Sequence, residues 1–224
     1  MKLFGTPLIF TRSVIFGFVY FSIAIAWNST WIEGISITTA LFGIVFLHEV
    51  GHLVVSKLVK IPAKNLTLMV VGGMVEFYDD YEQYEPWKKL LITLGGPLVN
   101  VIIMLIIGFN VNTVNGSPDT ILDSIKAMNV VLLLFNILPL YSLDGGRIVQ
   151  TLIELKVNNF ELSKYYASII SVITSLIVIT LSVTYWSISV TWLIVFFTIL
   201  IGYTNISNIK KYRNERNDSE GRSE

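Results

Sequence analysis

Apolar residues in this chain run in stretches too long for the face of a soluble helix and too continuous for a half-buried strand. Six of them are long enough to span a hydrocarbon core: Leu8–Trp27, Thr39–Val59, Leu90–Phe109, Ile121–Leu143, Tyr166–Tyr185 and Val190–Ile206. Between the second and third, Leu66–Phe77 breaks the helical pattern, with two short β-prone runs flanking Gly72-Gly73. That arrangement predicts a hairpin, and one so apolar should dip between helices, where its backbone is buried or lines a cavity. The predicted fold is an all-α polytopic membrane protein of about six transmembrane helices, with a short membrane-associated β-hairpin between the second and third. One membrane domain covers 1–209, with its core over about 39–150, and 210–224 reads as a short solvated tail.

Composition strengthens the membrane reading. Of 224 residues, 53% are apolar and 14% charged, against about 25% charged in soluble domains. With a mean hydropathy of +0.66, the apolar excess cannot be hidden in one core of this size. Acidic and basic residues balance at 16 each, so no net charge points to nucleic acid. The absence of cysteine excludes disulfides, thiolate metal sites and cysteine nucleophiles. Any metal must be held by histidine and carboxylate.

Lysine and arginine set the expected orientation. With the N-terminus in the cytoplasm, the inner segments collect nearly all of them, Lys57, Lys60, Lys88, Lys89, Arg147 and Lys210 included. The outer loops Asn28–Gly34 and Asn110–Asp119 carry none. A multi-pass protein of the cell membrane with both termini and the active site toward the cytoplasm is expected. Arg12, the following apolar run and Ala24-Ile25-Ala26 also fit a cleavable signal peptide, an alternative that leaves the second span oriented the same way.

Both histidines of the chain lie in His48-Glu49-Val50-Gly51-His52. On a helix, positions i and i+4 share a face, so two imidazoles can meet one metal ion. Glu49 lies about 100° around from His48, placed to act on a water as general base and not as a ligand. A glutamate and two histidines inside a membrane cost several kcal/mol unless paired or functional, which argues against a chance cluster. Catalytic zinc takes three protein ligands and keeps one position open. Two carboxylates could supply the third: Glu76 in the hairpin, 24 residues after His52, or Asp144 at the inner end of the fourth span. Asp144 could instead pair with Arg147 at i+3. Pro139 and Gly145-Gly146 kink and loosen that span.

His48-Glu49-Val50-Gly51-His52 in one span and Asn136-x-x-Pro139-x-x-x-x-Asp144-Gly145 in a later one together resemble the site-2 protease family, the intramembrane zinc metalloproteases of peptidase family M50. The resemblance covers roughly half the chain. It implies one zinc ion per chain held by His48, His52 and Asp144, with Glu49 as general base, and so favours Asp144 over Glu76. It also implies cleavage of a peptide bond in or near a transmembrane segment of another membrane protein or peptide. Gly96-Pro97-Leu98-Val99-Asn100 is similar to a further Gly-Pro-x-x-Asn element of the family, and it equally suits close helix packing with an interhelical hydrogen bond. Asn100, Asn136, Gly72 and Gly73 are candidate substrate-binding positions, the hairpin edge offering a strand to which an unwound substrate could add.

The layout is similar to the compact sporulation-type branch of that family, without its nucleotide-binding module and without a PDZ domain. A regulatory membrane partner is expected to control access in their place. The competing readings are a zinc-containing membrane binding or immunity protein that does not cut, and a metal transporter. An intact Glu49 speaks against the first, because a structural site needs no base. The scarcity of further intramembrane carboxylates speaks against the second.

Overall fold

A computed structural model describes residues 1–27, 29–70, 72–114, 117–118 and 120–185, and beyond these 198–199, 205–206, 208–210 and 212. The chain divides into two compact units, Met1–Phe135 and Asn136–Glu224.

The first unit opens with two strands, β1 (Lys2–Leu3) and β2 (Thr6–Phe10). The expected first span therefore loses its start. Leu8, Ile9 and Phe10 pair in parallel with Leu66, Thr67 and Leu68, and the helix α1 covers only Arg12–Ala26. Thr11 forms the joint: its amide and its hydroxyl both donate to the Leu68 carbonyl, at 3.0 and 2.9 Å. The backbone is thus held extended up to the residue before the helix.

Helix α2 (Trp31–Leu58) starts eight residues earlier than the apolar run suggests. The cause is a capping box, in which the Thr30 hydroxyl accepts from the Glu33 amide and the Glu33 carboxylate accepts from the Thr30 amide. These reciprocal bonds satisfy helix-end donors that would otherwise stay orphaned. Two strands follow, β3 (Ala63–Met69) and β4 (Gly72–Phe77), paired antiparallel from Ala63↔Phe77 to Met69↔Gly72 with an irregularity between Ala63 and Asn65. The sheet order is β1-β2-β3-β4. Its inner face rests on α2 through Leu8, Leu66, Leu68 and Val75 against Leu53, with Phe46 and Val50 at the margin.

A 3-10 turn (Asp79–Gln83) leads into α3 (Pro86–Ile107), whose first residue is proline, where the missing amide hydrogen costs nothing. The buried Lys89 donates to the Glu82 carbonyl at 3.1 Å and ties this turn to the helix. Helices α2 and α3 approach closely, and a Cβ on Gly51 would collide with the Gly95 carbonyl, and one on Gly95 with the Gly51 carbonyl. A two-stranded ladder of β5 (Thr113–Val114) and β6 (Ser117–Pro118) then precedes α4 (Ile121–Ile137).

The expected fourth span, Ile121–Leu143, is interrupted. Helix α4 ends at Ile137, two residues before Pro139, and α5 (Asp144–Val157) is a separate helix in the second unit. Gly145 and Gly146 let its start lie against the end of α4, since a Cβ on either would strike the carbonyls of Ile137, Leu138 or Leu140. Helix α6 (Phe160–Tyr185) follows, and the Ser171 hydroxyl on it accepts from the Tyr141 amide and from Asn205.

Among the described residues three helices are long and apolar enough to cross a membrane: Trp31–Leu58, Pro86–Ile107 and Phe160–Thr184, with Arg12–Ala26 a shorter apolar helix. The architecture is mainly helical with a small sheet, not all-α. The sixth expected span, Val190–Ile206, and the tail 210–224 lie almost wholly outside the described residues.

The close approach of α2 and α3 can be tested directly. Gly95→Ala should lower stability by about 1–3 kcal/mol through overpacking. Gly43→Ala, whose Cβ meets open space, should be neutral or slightly stabilising. Thermal unfolding of both variants in one detergent checks this, and equal melting temperatures would contradict it.

Candidate metal centre

Helix α2 places His48 and His52 one turn apart on its buried face, 3% and 7% exposed, with their Nε2 atoms 3.2 Å apart. Each ring is held from behind by α3. His52 Nδ1 lies 2.8 Å from the Ile92 carbonyl, with the Gly96 amide at 3.3 Å to the same atom, and His48 Nδ1 lies 2.5 Å from Asn100 Oδ1. Carbonyl and amide oxygens only accept, so the shorter contact at each ring puts the proton on Nδ1. A neutral imidazole then presents an unprotonated Nε2, the form in which histidine binds metals.

Two such nitrogens turned toward each other suit a divalent cation. Nitrogens each about 2.0–2.1 Å from a tetrahedral zinc lie roughly 3.3 Å apart, close to the separation between His48 and His52. The donor set, two neutral imidazoles in a chain without cysteine, matches the nitrogen-and-oxygen class of catalytic zinc sites. Gly96 leaves the space open, because a Cβ there would run into Nε2 of both histidines.

Glu49, 8% exposed, points to the sheet side of α2. A Cβ on Gly73 would strike its Cγ and Cδ, so β4 lies directly over the carboxylate arm and only glycine fits. The neighbouring Gly72, the first residue of β4, has φ +141, a backbone conformation suited to glycine. Glu76 does not join the histidines: its carboxylate accepts from Asn65 Nδ2 at 2.8 Å across the β3–β4 ladder. A strand alternates its faces, and Glu76 spends its charge within the sheet. The first unit therefore brings together His48, Glu49, His52, Asn100 and Gly73.

Asp144 and Asn136 belong to the second unit. Asp144 is the first residue of α5, after Leu143 in extended conformation. The positive end of a helix favours an ionised carboxylate, which is the ligating form. Asn136 is the half-buried penultimate residue of α4.

The model of peptidase family M50 matches residues 36–117 and 110–181. The chain belongs to peptidase family M50. A zinc metalloprotease of Methanocaldococcus jannaschii is 30% identical over 174 residues, covering 75% of this chain and 49% of that protein. A relative from Synechocystis sp. is 29% identical over 129 residues, covering 56% of this chain and 33% of its own. The chain thus spans a half or less of the length of these curated relatives. The solved site-2 protease from Methanocaldococcus jannaschii shares the fold, with a TM-score of 0.61, 22% identity and 93% of each chain covered. Membership in peptidase family M50 accords with the resemblance carried by the two sequence motifs.

Two contributors escape a reading of motifs. The Ile92 carbonyl is backbone and leaves no trace in residue type. Asn129 on α4, fully buried, donates to the Asn100 carbonyl and accepts from the Asn100 side chain. Its signal is an asparagine next to the apolar run Val130–Phe135, where a polar group needs a partner.

The open seat in front of Gly96 leads to a direct expectation. Gly96→Ala should weaken metal binding by more than the roughly 10–100-fold that follows loss of an outer hydrogen bond. Chelator competition on purified protein would show it, and unchanged affinity would contradict the placement of the seat.

Proposed function

We propose that this M50 family member is an intramembrane zinc metalloprotease that hydrolyses a peptide bond in or near a membrane segment of another protein or peptide. The observation that carries the reading is the pair of Nε2 atoms converging at 3.2 Å beside a buried Glu49. His48 and His52 supply two ligands and Asp144 the third. The carboxylate assignment rests on the Asn136–Gly145 motif, on the position of Asp144 at a helix start, and on the engagement of Glu76 with Asn65.

Zinc held there supplies Lewis acidity toward a water and toward the scissile carbonyl. Glu49 takes a proton from the attacking water and returns it to the leaving nitrogen. A helical substrate has its carbonyls engaged in its own hydrogen bonds, so it must unwind before attack. β2 occupies one edge of β3 and β4 the other, which leaves β4 as the edge beside Glu49 where an extended segment could add as a further strand. Gly73, in contact with Glu49, and Gly72 would set how closely that segment passes the base. Val75 is part of the core beneath the sheet, so a proline there would disturb folding as well as the edge.

The distribution of lysine and arginine supports an active site toward the cytoplasm and cytoplasmic termini. The substrate is a membrane protein or membrane peptide, and a membrane partner controlling its entry fits the same picture. Asn136 would act near the substrate or the metal.

Two experiments test the reading. Glu49→Gln should retain zinc while turnover of a membrane-segment substrate falls by about 10²–10⁴, whereas Asp144→Asn should lose zinc affinity. Normal cleavage by Glu49→Gln would exclude the mechanism. Gly73→Ala should keep its zinc but lose about 10²-fold in turnover through displacement of the base or the edge strand. Full activity in that variant would remove β4 from the account and leave the zinc chemistry standing.

A further inference from the structure

The orientation of one zinc ligand is decided on a helix that does not carry it. The Asn100 carbonyl on α3 can only accept, and Asn129 Nδ2 on α4 lies 3.0 Å from it. That bond fixes the Asn129 amide, because the NH2 must face the carbonyl. Asn129 Oδ1 consequently faces Asn100 Nδ2, at 2.7 Å. Asn100 in turn has its NH2 committed and must show Oδ1 to His48 Nδ1. An acceptor there requires the proton on Nδ1 and leaves Nε2 unprotonated toward the metal seat. Asn100 and Asn129 are both fully buried, out of reach of solvent that could substitute for a lost partner.

Without Asn129, the Asn100 amide can turn by 180° at little steric cost, since its oxygen and nitrogen are nearly the same size. The NH2 would then face His48 Nδ1, the proton would move to Nε2, and the ring would present a hydrogen to the cation. We infer that Asn129 is a positioning residue for the metal centre: through Asn100 it holds His48 in the tautomer that can ligate. This rests on the zinc reading above. His52 serves as an internal reference, because its Nδ1 is held directly by the Ile92 backbone carbonyl and does not depend on either asparagine.

The chain has two histidines, so protein labelled with 15N in histidine gives four ring-nitrogen signals. The spectrum of the full chain in detergent, freed of metal and held near pH 8 where an unperturbed imidazole (pKa about 6.5) is neutral, reads each tautomer separately. In the wild type both rings should be protonated at Nδ1. Asn129→Leu, similar in size but without polar atoms, should give His48 a mixed or Nε2-protonated form while His52 keeps its own. Zinc affinity, measured by chelator competition without reference to activity, should fall by about 10–100-fold.

Asn129→Asp provides a second variant. Its carboxylate still accepts from Asn100 Nδ2, which keeps Asn100 Oδ1 turned to His48, so His48 should keep its Nδ1 proton in this variant while it loses it in Asn129→Leu. Unchanged His48 signals, a change shared equally by both histidines, or full zinc affinity in Asn129→Leu would overturn the inference, as would loss of the His48 Nδ1 proton in Asn129→Asp. Should neither variant fold, the wild-type spectrum still decides, because an Nε2-protonated His48 contradicts the relay. A wild type that binds no zinc at all counts against the proposed function. A wild type that binds zinc no better than Asn129→Leu counts against this inference alone.

Discussion

The approach of α2 to α3 is the constraint on which the centre depends. Gly51 and Gly95 meet backbone to backbone, and that contact brings the His48–His52 face of α2 against a stretch of α3 containing Ile92, Gly96 and Asn100. From this one surface come the acceptors that hold the proton on each Nδ1 and, at Gly96, the missing Cβ that would run into each Nε2. In an apolar surrounding, helix association gains little from the hydrophobic effect and relies on close packing and hydrogen bonds. The glycines that permit packing and the polar groups that organise the metal seat therefore share about two turns of α3, from Ile92 to Asn100.

The small sheet adds a second requirement. Lipid offers no hydrogen-bond partners to an open strand, yet β3 and β4 are placed over α2 and beside Glu49. The N-terminal strands cover the far edge of β3 and pin the start of α1 through Thr11. Coverage on that side is what leaves β4 as the edge next to the base. The sheet thus gives shape to one wall of the centre, and Gly73 is where that wall and the carboxylate touch.

Much of this was legible in the residues and some was not, for identifiable reasons. The spacing of His48 and His52 marks a shared helix face, and Gly72-Gly73 marks a turn between β-prone runs. Both signals are local; the structure carries the first, whereas Gly72 and Gly73 open β4, paired with Met69 and Leu68, and do not lie between the strands. Leu8–Phe10 reads as the start of a helix because an apolar run of three looks the same in either state; only its pairing with β3, some 58 residues away in the chain, makes it a strand. The early start of α2 falls within the expected outer loop Asn28–Gly34, because the apolar run begins only at Thr39 while the cap of Thr30 and Glu33 lies well before it. The break after α4 was half visible, as Pro139 announced a kink but not that Asp144 would begin a helix of its own. Asn129 has no spacing rule at all. It becomes meaningful only when α4 is seen to lie against α3, since its partner is 29 residues away.

Zinc coordination in the purified protein is the most direct test of the account. X-ray absorption at the zinc edge should show two imidazole nitrogens and oxygen donors, all at about 2.0–2.2 Å, in a four-coordinate shell. A protein that takes up no zinc, or a shell of oxygen alone without imidazole, would contradict the claim that His48 and His52 were brought together to hold a metal.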